Sequence, residues 1–307
     1  MPFSFFASLF ISFSVSFSAV PLTASLARRV GAIDIPDGCR RCHKAITPRM
    51  TGIAVALGFS AALLLLPAEE SGVTAALLLY GNAVCLSGAL DDLYPLSPPK
   101  KLLLQLLAAV GAALCGVRPL WLPAPFAFPV AVLFLLLLMN AQNLVDGMDG
   151  LSASLALISA LGFSSLAIRC GDTALLPALL LFTVAVIGFL PYNLPPARVF
   201  MGDAGSQFLG FTLAALGIAL SNRILLPQAS AIAVSRTTFA LLLCLFLPIY
   251  DTVTSFFRRF FSGTSPFSAD RGHLHHRLID KGFSDTAALS LLLLAQSAFT
   301  LFGISII

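Results

Sequence analysis

The property that most restricts how this chain can fold is the length of its uninterrupted apolar runs. A helix needs roughly 20 predominantly apolar residues to cross the hydrocarbon core of a bilayer. Ten runs approach or exceed that requirement, at about 3–27, 51–67, 73–90, 102–117, 126–142, 151–168, 174–192, 206–222, 239–257 and 286–306. They are continuous and do not alternate. That excludes a closed β-barrel, the other structure able to satisfy every backbone group in lipid. Charged residues are only 10% of the 307, where a soluble domain carries about 25%. This scarcity excludes a water-soluble enzyme, a nucleic-acid-binding protein and a disordered chain. The expected architecture is all-α: a polytopic membrane protein of about ten transmembrane helices, with residues 1–307 forming a single integral-membrane domain. The first run is too long for the apolar core of a signal peptide, and Met1-Pro2-Phe3 brings no basic leader, so it is read as a span.

Alternate loops differ in Lys and Arg content, which marks the cytoplasmic side. One set holds Arg28, Arg29, Arg40, Arg41, Lys44, Arg49, Lys100, Lys101, Arg198, Arg258, Arg259, Arg271, Arg277 and Lys281, fourteen of the 18. The other holds Arg118, Arg169, Arg223 and Arg236. The rich side is expected to face the cytoplasm, which places both termini outside. Of the 14 acidic residues, only Glu69, Glu70 and Asp172 lie opposite; all the others are Asp, on or near the cytoplasmic face. Short carboxylates beside Arg, Lys and His at one face point to a site for a metal and phosphates.

The first cytoplasmic loop carries Asp34, Asp37 and a basic cluster suited to phosphate or lipid headgroups. Its Cys39-Arg-Arg-Cys42-His43 matches the C-x-x-C-H pattern of haem attachment, but on the wrong side of the membrane for that chemistry. In the second, Asp91-Asp92 would repel each other without a cation, either Mg²⁺ or a lysine from the following turn, and Pro95, Pro98 and Pro99 end the helix. In the third, Asn140, Asn143, Asp146 and Asp149 recur every three residues, and Gly147 and Gly150 are expected to end the helix and let the segment turn around a ligand. In the fourth, Gly202 and Gly205 flank Asp203 at the start of the eighth span, where free backbone N–H groups favour anions. The fifth contains Asp270-Arg271-Gly-His273-Leu-His275-His276-Arg277, whose arginines favour phosphate over a metal. Asp251, within an apolar run, needs a partner.

Taken together the five loops resemble the polyprenyl-phosphate N-acetylhexosamine-1-phosphate transferases, relatives of the phospho-N-acetylmuramoyl-pentapeptide transferases. The resemblance rests on Asp34-x-Pro…Arg40-Arg41-x-His43, Asp91-Asp92…Leu96-Ser97-Pro98…Lys100, Asn143-x-x-Asp146-Gly-x-Asp149-Gly, Phe200-Met-Gly-Asp203-x-Gly-Ser and His273-x-His275-His276. Each motif is weak alone, and five in order on one face are specific. The segment Ser265–Arg271 is similar to the branch that uses UDP-GlcNAc. One departure stands out: members usually carry paired glycines where this chain has Thr51-Gly52.

The resemblance implies transfer of a HexNAc-1-phosphate, by default GlcNAc-1-phosphate, from a UDP-sugar to a polyprenyl phosphate such as undecaprenyl phosphate. UMP is released, in the first membrane step of a cell-envelope glycan pathway such as that of lipopolysaccharide. It places the protein in the bacterial cytoplasmic (inner) membrane, with UDP-HexNAc, polyprenyl phosphate and the bilayer as partners and a homodimer as one allowed assembly. The implied cofactor is Mg²⁺, with Mn²⁺ as an alternative, held by Asp203, Asp146 and Asp149. Asp91, Asp92 and Asp203 are the implied catalytic carboxylates, Asp91 facing the acceptor phosphate with Asp92 in support. Asn143, Asp146, Asp149 and Phe200 would bind the uridine end of the substrate and His273, His275, His276 and Arg277 the phosphates, with Lys100 and Asn193 as further substrate-binding residues. The competing reading is a transporter or flippase of a lipid-linked or nucleotide sugar, which should place ionisable groups near the bilayer midplane.

Overall fold

The computed structural model describes residues 3–35, 46–66, 71–227, 230–263 and 272–307. Arg40, Arg41, the Cys39–His43 motif, Asp37, Asp270 and Arg271 lie outside the described residues.

The described chain is almost entirely helical. Helix α1 (Phe3–Val30) leads into two short antiparallel strands, β1 (Ile33–Asp34) and β2 (Thr47–Pro48), then α2 (Ile53–Leu63). Helix α3 (Ser71–Ala76) continues through one π turn (Leu77–Gly81) into α4 (Asn82–Leu93). Next come α5 (Pro98–Leu114), α6 (Ala124–Val145), α7 (Leu151–Arg169), α8 (Leu176–Asn193) and α9 (Gly202–Leu225). The chain ends with α10 (Ala231–Cys244), α11 (Phe246–Phe261), α12 (Leu274–Asp280) and α13 (Asp285–Ile306).

Seven of these helical stretches are long and apolar enough to cross a membrane, or eight if α10 and α11 count as one broken span. The protein is a polytopic helical membrane protein. Every apolar run expected from the sequence coincides with helix, but not always with a full span. Helix α2 has 11 residues, too short to cross unaided, and α5 has 17.

The run at 239–257 is not the single span expected. Helices α10 and α11 meet at Leu245 with an 83° bend. The cause is local. Pro248 has no N–H to offer the carbonyl of Cys244, one turn back. The Gln296 side chain of α13 repairs the break: its Nε2 donates to Cys244 O at 2.8 Å and Leu243 O at 3.2 Å, and its Oε1 accepts from Leu247 N at 2.9 Å. Ser159 of α7 adds a second bond to Cys244 O at 2.6 Å. Helix breaks inside a bilayer are tolerated where neighbouring side chains satisfy the freed groups in this way.

Helix α9 is the axis of the molecule, buried over 94% of its best apolar window, with α4, α6, α7 and α10 packed against it. In lipid, helices associate through close packing more than through water exclusion, which favours small residues at crossings. A Cβ added to Gly210 of α9 would lie 2.2 Å from Leu138 O of α6, and one added to Gly88 of α4 would lie 2.3 Å from Asp203 O. The second crossing brings the ends of α4 and α9 together, and the site forms there.

Candidate active site

Asp92 fixes the start of α9. Its side chain is 0% exposed, and its two oxygens accept from Asp203 N and Ala204 N, each at 3.1 Å. The free N–H groups at this helix start are therefore already capped by a carboxylate, not open to an anion. Gly202 sits at φ +70, and a Cβ there would lie 2.4 Å from Asp92 Oδ2. Only glycine meets both demands. The segment before α2 braces the same turn: Phe200 N donates to Pro48 O at 2.9 Å and Gly52 N to Met201 O at 3.0 Å. Thr51 occupies the position where paired glycines were expected, and its hydroxyl donates to Phe200 O at 2.6 Å. Gly52 keeps the close approach to α9, since a Cβ on it would lie 2.3 Å from Gly205 Cα.

Held this way, the Asp203 carboxylate meets three other elements. Lys101 Nζ, from the first turns of α5, bonds to Asp203 Oδ2 and lies 3.1 Å from Asp91 Oδ2. Asn143 Nδ2 of α6 donates to Asp203 Oδ1 at 2.8 Å and to Ser206 Oγ at 3.0 Å. Asp91 closes its own turn by accepting from Leu96 N at 2.7 Å. The cation that the Asp91-Asp92 pair demanded is a lysine from the next turn, and it is Lys101. Lys100 is exposed.

Two more charges border the cluster. Asp146, just past α6, accepts from Gly202 N; removal from water and then repulsion from Asp203 hold its carboxyl well above the usual carboxylate range, while Arg49 pulls the other way. Arg49, beside β2, has Nη2 3.6 Å from Asp92 Oδ1. Burial opposes its charge, but Asp92 and Asp203 outweigh that and raise its pKa.

The outer members of the third and fourth loops hold backbone. Asp149 Oδ2 accepts from Ala197 N at 2.9 Å, and buried Asn193 donates from Nδ2 to Val199 O at 3.0 Å. Among the described residues Asp203, Asp146 and Asp149 are not grouped as one cage: Asp149 is bonded to the 194–199 segment, which Asn193 braces from inside. Half-buried Phe200 sits on the braced turn directly before Asp203.

The histidine motif is locked to α11. Asp251 Oδ2 lies 2.7 Å from His273 Nδ1, and Asp251 Oδ1 accepts from Leu274 N at 2.8 Å, which caps α12. Ser255 Oγ and Arg259 Nη2 approach the same ring at 3.3 and 3.4 Å. Asp251 has the partner its apolar setting required. His275 is 2% exposed, and its Nε2 has no hydrogen-bond partner among the described residues. It presses on the third loop, where a Cβ on Gly147 would lie 2.5 Å from Nε2. Burial, then the neighbouring His276, lowers its pKa to about 3. His276 is partly exposed and Arg277 exposed on the outer side of α12.

Residues from all five loops therefore gather at one end of the bundle. The sequence reading missed Lys101 and Arg49. An i,i+4 pattern of Lys101 with Gln105 on an otherwise apolar helix was the available signal for the first. The donor set suits a hard cation: carboxylate and amide oxygens, with no thiolate. Among the described residues, no three His, Cys, Asp or Glu side chains are grouped closely enough to cage a metal. Mg²⁺ commonly takes one or two carboxylates together with substrate phosphates and waters, and Asp91 and Asp203, which share Lys101, supply two.

Fold and site together define a multi-pass membrane enzyme with a carboxylate–lysine centre at one end of its helices. Residues 74–221 match the family model described as "Glycosyl transferase family 4", and the chain belongs to that family. It is 30% identical to a Bacillus subtilis protein named "Probable undecaprenyl-phosphate N-acetylglucosaminyl 1-phosphate transferase", over 96% of this chain and 84% of that one. It is 32% identical to the "Decaprenyl-phosphate N-acetylglucosaminephosphotransferase" of Mycolicibacterium smegmatis, over 91% and 76% of the two chains. It is 30% identical to the "Undecaprenyl-phosphate alpha-N-acetylglucosaminyl 1-phosphate transferase" of Escherichia coli K12, over 91% and 77%.

Proposed function

We propose that the protein transfers GlcNAc-1-phosphate from UDP-GlcNAc to a polyprenyl phosphate at the cytoplasmic face of a bacterial inner membrane. In this reading the chain crosses about ten times, with both termini outside. The observation that carries the reading is the convergence of Asp203, Asp91, Lys101 and Asn143 from four helices at one end of the bundle. The relatives' names point to the same reaction.

An oxygen of the acceptor phosphate attacks the sugar-bearing phosphorus of the donor. The bond from that phosphorus to the oxygen bridging the two phosphates breaks, and UMP leaves. Such a transfer needs positioning and charge neutralisation more than covalent participation by the protein. Lys101 would exchange its carboxylates for phosphate oxygens as substrate enters, and Arg49 would add a second cation at the rim. Asp91, freed from Lys101, would face the acceptor phosphate. Asp203, held by Asn143 and the capped helix start, would keep its position throughout. Asp203 and Asp91 would hold Mg²⁺, which when bound neutralises the diphosphate.

Membranes containing the protein, given labelled UDP-GlcNAc and undecaprenyl phosphate, are expected to release UMP and form a lipid-linked product in a Mg²⁺-dependent manner. Asp203→Asn and Asp91→Asn should each abolish this while the protein still inserts. Full turnover in both variants would refute the assignment.

A further inference from the structure

Below the Lys101–Asp203–Asn143 layer lies a second one made only of amides. Gln105 follows Lys101 by four residues on α5, Gln207 follows Asp203 by four on α9, and Asn140 precedes Asn143 by three on α6. These spacings put both members of each pair on one helix face, a turn apart. Each of the three helices supplies one residue to the upper layer and one amide to the lower. Asn140 Nδ2 donates to Gln105 Oε1 at 2.9 Å, and Gln105 Nε2 donates to Gln207 Oε1 at 3.0 Å. Gln207 Nε2 donates to Asp203 Oδ2 at 3.4 Å.

The direction of this chain is dictated by its end. An ionised carboxylate can only accept, so Gln207 turns its NH₂ to Asp203 and its carbonyl to Gln105. That orients Gln105, which in turn orients Asn140. Every donor points toward Asp203, and hydrogen bonds in series polarise one another. Gln105 and Gln207 are each 1% exposed, and burying amides within a membrane bundle is costly without partners. The chain supplies those partners.

We propose that Gln105 and Gln207, with Asn140 behind them, are positioning residues that hold Asp203 Oδ2 in place when substrate phosphate draws Lys101 away. The inference rests on the functional reading above and deepens it. The lysine is the exchangeable partner of Asp203, and the amide chain is the permanent one.

The test is a double-mutant cycle of Gln105→Met and Gln207→Met, read both as turnover and as unfolding midpoint in detergent. Each single change is expected to lower kcat by about 10–100-fold with KM for UDP-GlcNAc little changed. The double variant should be no slower than Gln207→Met alone, and its midpoint should fall by less than the two single losses combined. Gln105→Ala repeats the measurement if the methionine variant fails to insert. Asn222→Leu is the control: at the far end of α9, Asn222 accepts from Leu120 N and donates to Arg118 O. It should lower the midpoint and leave kcat unchanged. Single variants that lose midpoint alone, or whose rate effects multiply independently in the double, overturn the relay. A wild-type protein that releases no UMP overturns the functional reading instead. In that case additive midpoints alone overturn the relay.

Discussion

The carboxylate centre and the histidine arm use similar residues to opposite ends. Around Asp203, three further Asp residues face Lys101 and Arg49, so carboxylates outnumber cations, and burial together with repulsion from Asp203 raises the pKa of Asp146. Around His273, Asp251 is matched on both oxygens, by the ring and by the start of α12. One region is left with unbalanced charge and an exchangeable lysine. The other closes its carboxylate on both sides. Surplus charge beside an exchangeable partner suits a place where charged substrate comes and goes, whereas a closed pair serves as scaffold.

That contrast fails if substitutions in both regions act alike. Lys101→Met should give the largest effect, a fall in turnover of about 10²–10³-fold, measured as UMP release, while Lys100→Met leaves the rate near wild type. Equal losses at both lysines would break the assignment of the centre. Asp251→Leu should act mainly on the scaffold. Removing a buried acceptor of this kind costs about 1–3 kcal/mol, read as chemical unfolding in detergent, and it should raise KM for the UDP-sugar more than it lowers kcat.

His275 sharpens the comparison through pH. Its pKa falls from 6.5 to about 3 on folding, so between those values the unfolded chain binds a proton that the folded one refuses. Its contribution to stability is complete above about pH 6.5 and declines as pH drops toward 3, by up to about 1.36 kcal/mol per unit. The difference in unfolding free energy between wild type and His275→Phe should follow that slope, and a flat difference would remove the buried neutral ring from the account. The smallest effect is expected at Thr51. Thr51→Val forfeits the bond to Phe200 O, worth about 1 kcal/mol, while Thr51→Ser keeps it; thermal unfolding of the two variants decides.

The sequence made the helices legible because each apolar run reports its environment directly. The bend at Leu245 was hidden. It depends on Pro248 together with Gln296, some fifty residues later, and no local pattern joins them. At the site, the clustering of Asp on one face was readable as charge, and Asp91, Asp203 and Asn143 do meet. What spacing could not distinguish was a carboxylate facing Lys101 from one tied only to backbone or to the rim. Asp92 and Asp149 belong to the second kind, as Asn193 does among the amides. The choice between Lys100 and Lys101 turned on helix phase, which is settled only once α5 has a start at Pro98. Thr51 was legible as a departure, and its bond to Phe200 O became visible only with the two loops side by side.

The repair of the α10–α11 elbow by one glutamine ties the last helix to the middle of the protein by register. A single residue inserted into α13 ahead of Gln296 would turn that side chain by about 100°, away from the elbow. The Leu243 carbonyl and the Leu247 amide would then lose their Gln296 partner in a medium that offers no other, and Cys244 O would be left with Ser159 alone. Loop grafts and domain fusions in this protein are therefore safest where they leave the count of residues between Ser284 and Gln296 untouched.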